Sequence, residues 1–90
     1  MLEARLSRMA VMPEKGALFF CGVAEYGEDQ LNIKVKFDFE NMDHKLFLEE
    51  LRDTIAREFQ IPVYHVVMNN DVVLGKMLAW HERFKALGLT

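Results

Sequence analysis

The chain has 90 residues, 51% of them hydrophobic and 28% charged. These are values of a globular chain with one core, and they exclude a disordered one, which would hold far fewer aliphatic and aromatic residues. Fourteen acidic against eleven basic residues give a net charge of −3, which argues against non-specific binding to nucleic acid or anionic lipid.

Cys21 is the only cysteine, so no intrachain disulfide can form. Small secreted domains often depend on such links, so a cytoplasmic location is expected. Seven Phe can supply the buried area that cross-links would otherwise replace. No apolar run reaches the ~20 residues of a membrane helix, and residues 1–12 hold no apolar stretch of signal-peptide length.

Taken in chain order, residues 1–12 come first as an N-terminal arm or short helix. Leu2, Leu6 and Met9 stand at i, i+4 and i+7, which fits one face of a helix. A frayed leader is the other reading. Residues 13–90 are expected to form a single α+β domain.

Residues 17–24 are a continuous apolar run, which suits a strand covered on both faces or central in a sheet. Gly22 within it marks a bulge or a close backbone approach. Residues 25–30 are polar, contain Gly27, and suit a hairpin turn. In residues 31–39, Leu31, Ile33, Val35, Phe37 and Phe39 alternate with Asn32, Lys34, Lys36 and Asp38. Successive strand side chains point to opposite faces, so one face is apolar and the other wet.

Residues 44–59 read as a helix with Asp43 as N-cap. Leu48, Leu51, Ile55 and Phe59 form its apolar stripe, with Phe47 beside it. Asp53 and Arg57 are spaced as an outer ion pair. Pro62 forbids continuation and biases Ile61 to an extended backbone. Residues 63–68 read as a strand from their β-branched and aromatic content. Asn69-Asn70 tolerate positive φ, which predicts a tight turn into a further strand at Val72-Val73-Leu74. Residues 76–87 read as a closing helix with Met77, Trp80, Phe84 and Leu87 on one face. Gly88 is placed to end it in the left-handed conformation, with Leu89 returning to the helix.

The expected order is β-β-α-β-β-α, in two layers: a mostly antiparallel sheet with helices on one face. Over residues 17–74, through the hairpin, the helix and the Ile61-Pro62 break, that order resembles ubiquitin-like β-grasp domains. The chain departs from them in closing with a helix and in lacking a Gly-Gly tail.

The search for chemistry is mostly negative. His44, His65, His81 and Cys21 show no ligand spacing, so no metal and no cofactor is expected. They read as a helix-start, a strand and an exposed-helix histidine, and a thiol in apolar surroundings. The acidic residues read as solvated faces, and the five glycines fit neither phosphate-binding fingerprint. No catalytic residue is assigned and the chain is not expected to be an enzyme.

The leading expectation is a non-catalytic protein-interaction domain: an adaptor, an inhibitor or a small subunit that binds another protein or itself. Lys34 and Lys36 on the wet strand and Trp80 and His81 on the last helix are the candidate partner-binding residues. For Trp80, core packing is the competing reading. Two alternatives stand behind it. One is a nucleic-acid-binding regulator using the Lys34/Lys36 face with Arg5 and Arg8. The other is a small ligand binder or enzyme using His65 or Cys21.

Overall fold

The structure, a computed structural model, describes residues 2–88. It is an α+β fold with four strands and two helices: β1 (Ala4–Glu14), β2 (Ala17–Tyr26), β3 (Asp29–Phe37), α1 (His44–Phe59), β4 (Val66–Val67) and α2 (Asn70–Ala86). The sheet order is β3-β2-β1-β4. β1 and β3 each run antiparallel to β2, and β4 runs parallel to β1. Both helices pack on the same face and share one core with the sheet.

The first correction concerns residues 1–12, read from the sequence as an arm or a short helix. Residues 4–14 are instead an inner strand, paired with β2 on one side and with β4 on the other. The reason is a change of parity. Ala4 and Val11 are both buried, yet they stand seven apart, and strict alternation would place them on opposite faces. A register shift between Ser7 and Ala10, with Arg8 at φ 51°, inserts one residue and returns both to the core. The inserted residue makes a strand pattern look like a helical one.

Gly22 lies across from this bulge. A Cβ there would fall 3.0 Å from Leu6 Cδ1 and 3.4 Å from the Ser7 carbonyl oxygen. The close approach expected from the sequence is therefore present, and the bulge itself belongs to the neighbouring strand.

Both hairpin turns have two residues. Lys15 and Gly16 are both at positive φ (51° and 79°), the type I′ pattern whose twist matches the flanking strands. In the second turn Gly27, the first central residue, is at φ 63° and Glu28 is not at positive φ, which is the type II′ pattern.

α1 forms where the spacing predicts it. The Asp43 carboxylate accepts from the backbone N–H of Lys45 (2.9 Å) and Leu46 (3.2 Å), filling two of the donors a helix start leaves open. Gln60 adopts the left-handed conformation, and Ile61 N–H closes onto the Ala56 carbonyl at 2.9 Å before Pro62. Phe47, Leu48, Leu51, Ile55 and Ala56 are buried. Phe47 meets Phe20 and Phe37 edge-on, at ring distances of 6.3 and 5.9 Å. Arg57 turns to the Thr54 hydroxyl, so the expected ion pair with Asp53 is not formed.

The second correction concerns residues 63–74, read as a hairpin turning at Asn69-Asn70. Val63–His65 form a single 3-10 turn, and only Val66 and Val67 join the sheet. Asn69 is the N-cap of α2: its side-chain oxygen accepts from Val72 N–H at 3.1 Å. Asparagine suits a left-handed turn and a helix cap equally, and packing decides between them. The helix places Val73 and Met77 four apart on one face, each 1% exposed.

The observed order is thus β-β-β-α-β-α. The hairpin and helix that carry the β-grasp resemblance are present, and the second hairpin is not; the strand after the helix pairs with β1, which the resemblance did not include. α2 ends at Ala86 with Leu87 as its C-cap, followed by Gly88 at φ 73° with its N–H on the Lys85 carbonyl at 3.1 Å. Leu89 lies outside the described residues. Leu87, placed by spacing on the apolar stripe, is exposed.

Candidate functional site

Because both helices cover one face of the sheet, the other face has no covering layer. The register defines its residues. Leu18, Phe20, Gly22 and Ala24 of β2 point to the core, so Phe19, Cys21, Val23 and Glu25 point away from it. Phe19 pairs with Lys36, Cys21 with Lys34 and Val23 with Asn32 on β3. On β1, Met12, Ala10 and Ser7 pair with Phe19, Cys21 and Val23. The result is a half-buried apolar strip, Ala10, Phe19, Cys21 and Val23, with exposed Met12 beside it and lysines along one margin.

Lys34 does not stand free. Its ammonium lies over the Phe19 ring, 4.8 Å from the centroid, and is paired with the Glu14 carboxylate on β1. Lys34 therefore leans inward across β2. On the same face Ser7 Oγ lies within hydrogen-bond distance of Glu25 Oε1 (3.0 Å) and the Val23 carbonyl oxygen (3.3 Å).

The two edges of the sheet differ. In a two-residue hairpin the residues flanking the turn bond to each other, and outward-facing backbone then alternates along the strand. On β3, with Asp29 bonded to Tyr26, the N–H and C=O groups of Gln30, Asn32, Lys34 and Lys36 face outward. β3 pairs with β2 from Asp29 to Phe37 without a register shift and contains no proline. On the opposite side β4 covers only Ala4 and Arg5, so the outer edge of β1 is open beyond them. There Met9, Val11 and Pro13 face outward. Lys76 Nζ donates to the Met9 carbonyl at 3.0 Å, Pro13 has no N–H to offer, and the bulge bends the strand. A proline, a bulge and a bound lysine are the usual protections of a sheet edge.

The four expected partner-binding residues fall into two separate groups. Lys34 and Lys36 are exposed on β3, on the uncovered face. Trp80 and His81 lie in the helical layer, on the other side of the sheet. Trp80 is half-buried, packed against the core beside Phe84 at 5.1 Å, with the Arg83 guanidinium 4.9 Å from its ring centroid. His81 is half-buried as well, stacked on Phe39 at 4.9 Å, where the sequence reading had an exposed histidine. His44 meets the edge of the same Phe39 ring at 4.6 Å, so two of the three histidines converge on one aromatic. His65 lies in the 3-10 turn instead of a strand.

Nearby, Asp38 closes the loop before α1. Hydrogen bonds from the Asn41 side-chain amide (2.8 Å) and the Glu40 backbone N–H (3.0 Å) hold its carboxyl below the ordinary carboxylate value. Among the described residues no group of three or more His, Cys, Asp and Glu could hold a metal ion, and no helix is long and apolar enough to cross a membrane. A cleft of about 380 Å³ lies between the β1 bulge, the end of β4 and the start of α2, walled by Leu6, Met9, Met68, Val72 and Val73.

Phe19 is the site residue that sequence reading missed. Phe37, on the lysines' own strand, points to the core and supplies no aromatic to their face. The needed signal was the phase of residues 17–24. That run is apolar at every position, so alternation cannot assign its faces. Only the register with the clean 31–37 pattern does so.

No protein-family model, curated protein or solved structure matches the chain.

Proposed function

We propose that the chain is a non-catalytic protein-interaction domain that engages its partner through the uncovered sheet face and the β3 edge. One observation carries this reading: the sheet has helices on one face only, and the bare face presents Phe19, Cys21, Val23 and Met12 next to an edge strand unbroken by bulge or proline. Apolar strips rimmed by polar residues mark interaction surfaces, and open edges accept an added strand. The asymmetry of the edges supports it, since β1 carries a proline, a bulge and a bound lysine, whereas β3 has neither proline nor bulge and one of its two lysines, Lys34, leans inward.

The reading is tested by placing a photo-cross-linking residue at Lys36 and, separately, at Glu50 on the outer side of α1, in the native cell extract. The expected outcome is a protein adduct at position 36 that is absent at position 50 and lost with Phe19→Ala. Equal labelling at both positions, or none at 36, overturns it.

A second reading is favoured by the lysine over Phe19. Cations interleaved with an aromatic on an open sheet face are what single-stranded nucleic acid uses for stacking. Under it the Lys34→Glu/Lys36→Glu variant loses oligonucleotide binding, and wild-type affinity falls steeply with salt. The single aromatic and the carboxylates of Glu14 and Glu25 on the same face weigh against it.

A further inference from the structure

We infer that the occupant of the β3 edge is the β3 edge of a second copy of this chain, in an antiparallel pair about a two-fold axis at Ile33. This rests on the reading of the sheet surface above and names the partner.

β3 spans Asp29 to Phe37, and Ile33 is its midpoint. Full overlap of two antiparallel copies therefore places Ile33 opposite itself. It sets Lys34 opposite the other copy's Asn32, and Lys36 opposite the other copy's Gln30. On the core side Leu31 meets Val35. Every lysine faces an amide, whereas an offset that set Lys34 against Lys34 or Lys36 would place like charges opposite each other, which destabilises a strand pair. The register of greatest overlap is thus also one that keeps the charges apart.

The outward-facing residues are Gln30, Asn32, Lys34 and Lys36, and in this register they pair only with one another. About eight inter-chain hydrogen bonds result, and none of the donors is a proline. Lys34, one of the two lysines on this strand, is held over Phe19 and paired with Glu14, away from the edge.

Two-fold pairing through β3 joins the sheets into eight strands and leaves β4 and the protected part of β1 at both outer ends. An assembly with one open and one blocked edge stops at two copies. The same pairing extends the bare face, with Phe19 and Met12, continuously across both copies.

The test is the mass in solution by light scattering or sedimentation, from about 10 μM to about 1 mM, a range wide enough for an interface of small area. Wild type is expected to move from monomer to dimer and no further. Asn32→Pro removes an outward N–H without touching the bonds to β2; it is expected to stay folded by circular dichroism and to remain monomeric. Should it fail to fold, the Gln30 position decides. Gln30→Glu sets two carboxylates against two lysines and tightens the dimer by about two- to thirty-fold, and Gln30→Lys loosens it by a similar factor. A wild type that stays monomeric throughout overturns the inference, as does a dimer indifferent to the Gln30 variants. A monomer that still cross-links another protein at position 36 overturns self-pairing alone. Loss of that adduct as well overturns the reading of the surface on which it rests.

Discussion

The assignment of Asn69 as a helix cap makes a quantitative claim that a hairpin turn would not. Its side-chain oxygen accepts from Val72 N–H at 3.1 Å, and the helix it opens carries Val73 and Met77 into the core at 1% exposure each. Replacing a capping asparagine by alanine costs about 1 kcal/mol, within a range of about 0.5–2. A 90-residue domain has a total stability of about 5–13 kcal/mol at the usual value per residue, so this loss is measurable. It corresponds to about 4–8 °C in Tm per kcal/mol. Asn69→Asp keeps the acceptor and adds a charge suited to a helix N-terminus, so it is expected to leave stability equal or to raise it by about 0.3–1 kcal/mol. Asn70→Gly is the discriminating variant. In the first turn of a helix it is destabilising, whereas in a tight hairpin turn needing positive φ it would be stabilising. Urea unfolding followed by Trp80 fluorescence and circular dichroism measures all three. A neutral Asn69→Ala together with a stabilising Asn70→Gly would show that the helix does not begin there.

Phe20 is fully buried and meets Phe47 edge-on; Phe20→Ala is expected to lose about 3–5 kcal/mol in urea unfolding, and a loss below about 1 kcal/mol would mean the ring is not central to the core. Gly22→Val forces a side chain against Leu6 Cδ1 and the Ser7 carbonyl, with an expected loss of about 1–3 kcal/mol. Leu6→Ala in the same chain should recover part of that loss, since the side chain can give way and the carbonyl cannot; strict additivity would refute the contact. Asp38 titrates below its ordinary value, chiefly through the Asn41 amide. Its contribution to stability is therefore complete above the unfolded carboxylate pKa of 3.8 and disappears as pH falls through the lower folded value. An NMR titration should show the Asp38 midpoint rising in Asn41→Ala, and an unchanged midpoint would refute the cause given.

Where one period dominated, sequence reading reached the fold. The alternation of Ile33, Lys34, Val35, Lys36 and Phe37 located β3 and its wet face, although the strand ends at Phe37 and leaves Asp38 and Phe39, expected within it, in the next loop; Asp43 with the Leu48, Leu51 and Ile55 stripe located α1 at its observed bounds. Sequence reading failed where a single residue broke the period or a residue type served two structures. Arg8 in the β1 bulge shifted the parity of Ala4 and Val11 and disguised a strand as a helix. Asn69 fitted turn and cap alike, and only the burial of Val73 and Met77 separates them. The number of strands, four, was as expected, while the place of residues 4–14 in the sheet, instead of residues 72–74, was not legible without tertiary contacts.

The candidate site shows the same limit one level up. Lys34 and Lys36 were legible because their strand is half wet; Phe19 was not, because its strand is apolar on both faces. Charge behaves likewise. A net −3 over the whole chain argued against anionic partners, but it is an average over two unlike faces. Exposed Glu49, Glu50, Asp53 and Glu58 outnumber exposed Lys45 and Arg57 on α1, with Asp38, Glu40 and Asp43 in the loop before it. The uncovered sheet face carries Arg5, Lys34 and Lys36 against Glu14, Glu25 and Glu3, which pairs with Arg5. A partner approaching the sheet meets that local set, since charges beyond about 10 Å are largely screened at moderate salt. The whole-chain charge therefore bears on solubility and gives little information about what the sheet face binds. Register and edge geometry carry that argument instead: the same alternation that sets Lys34 over Phe19 also leaves the outward backbone of β3 free to pair.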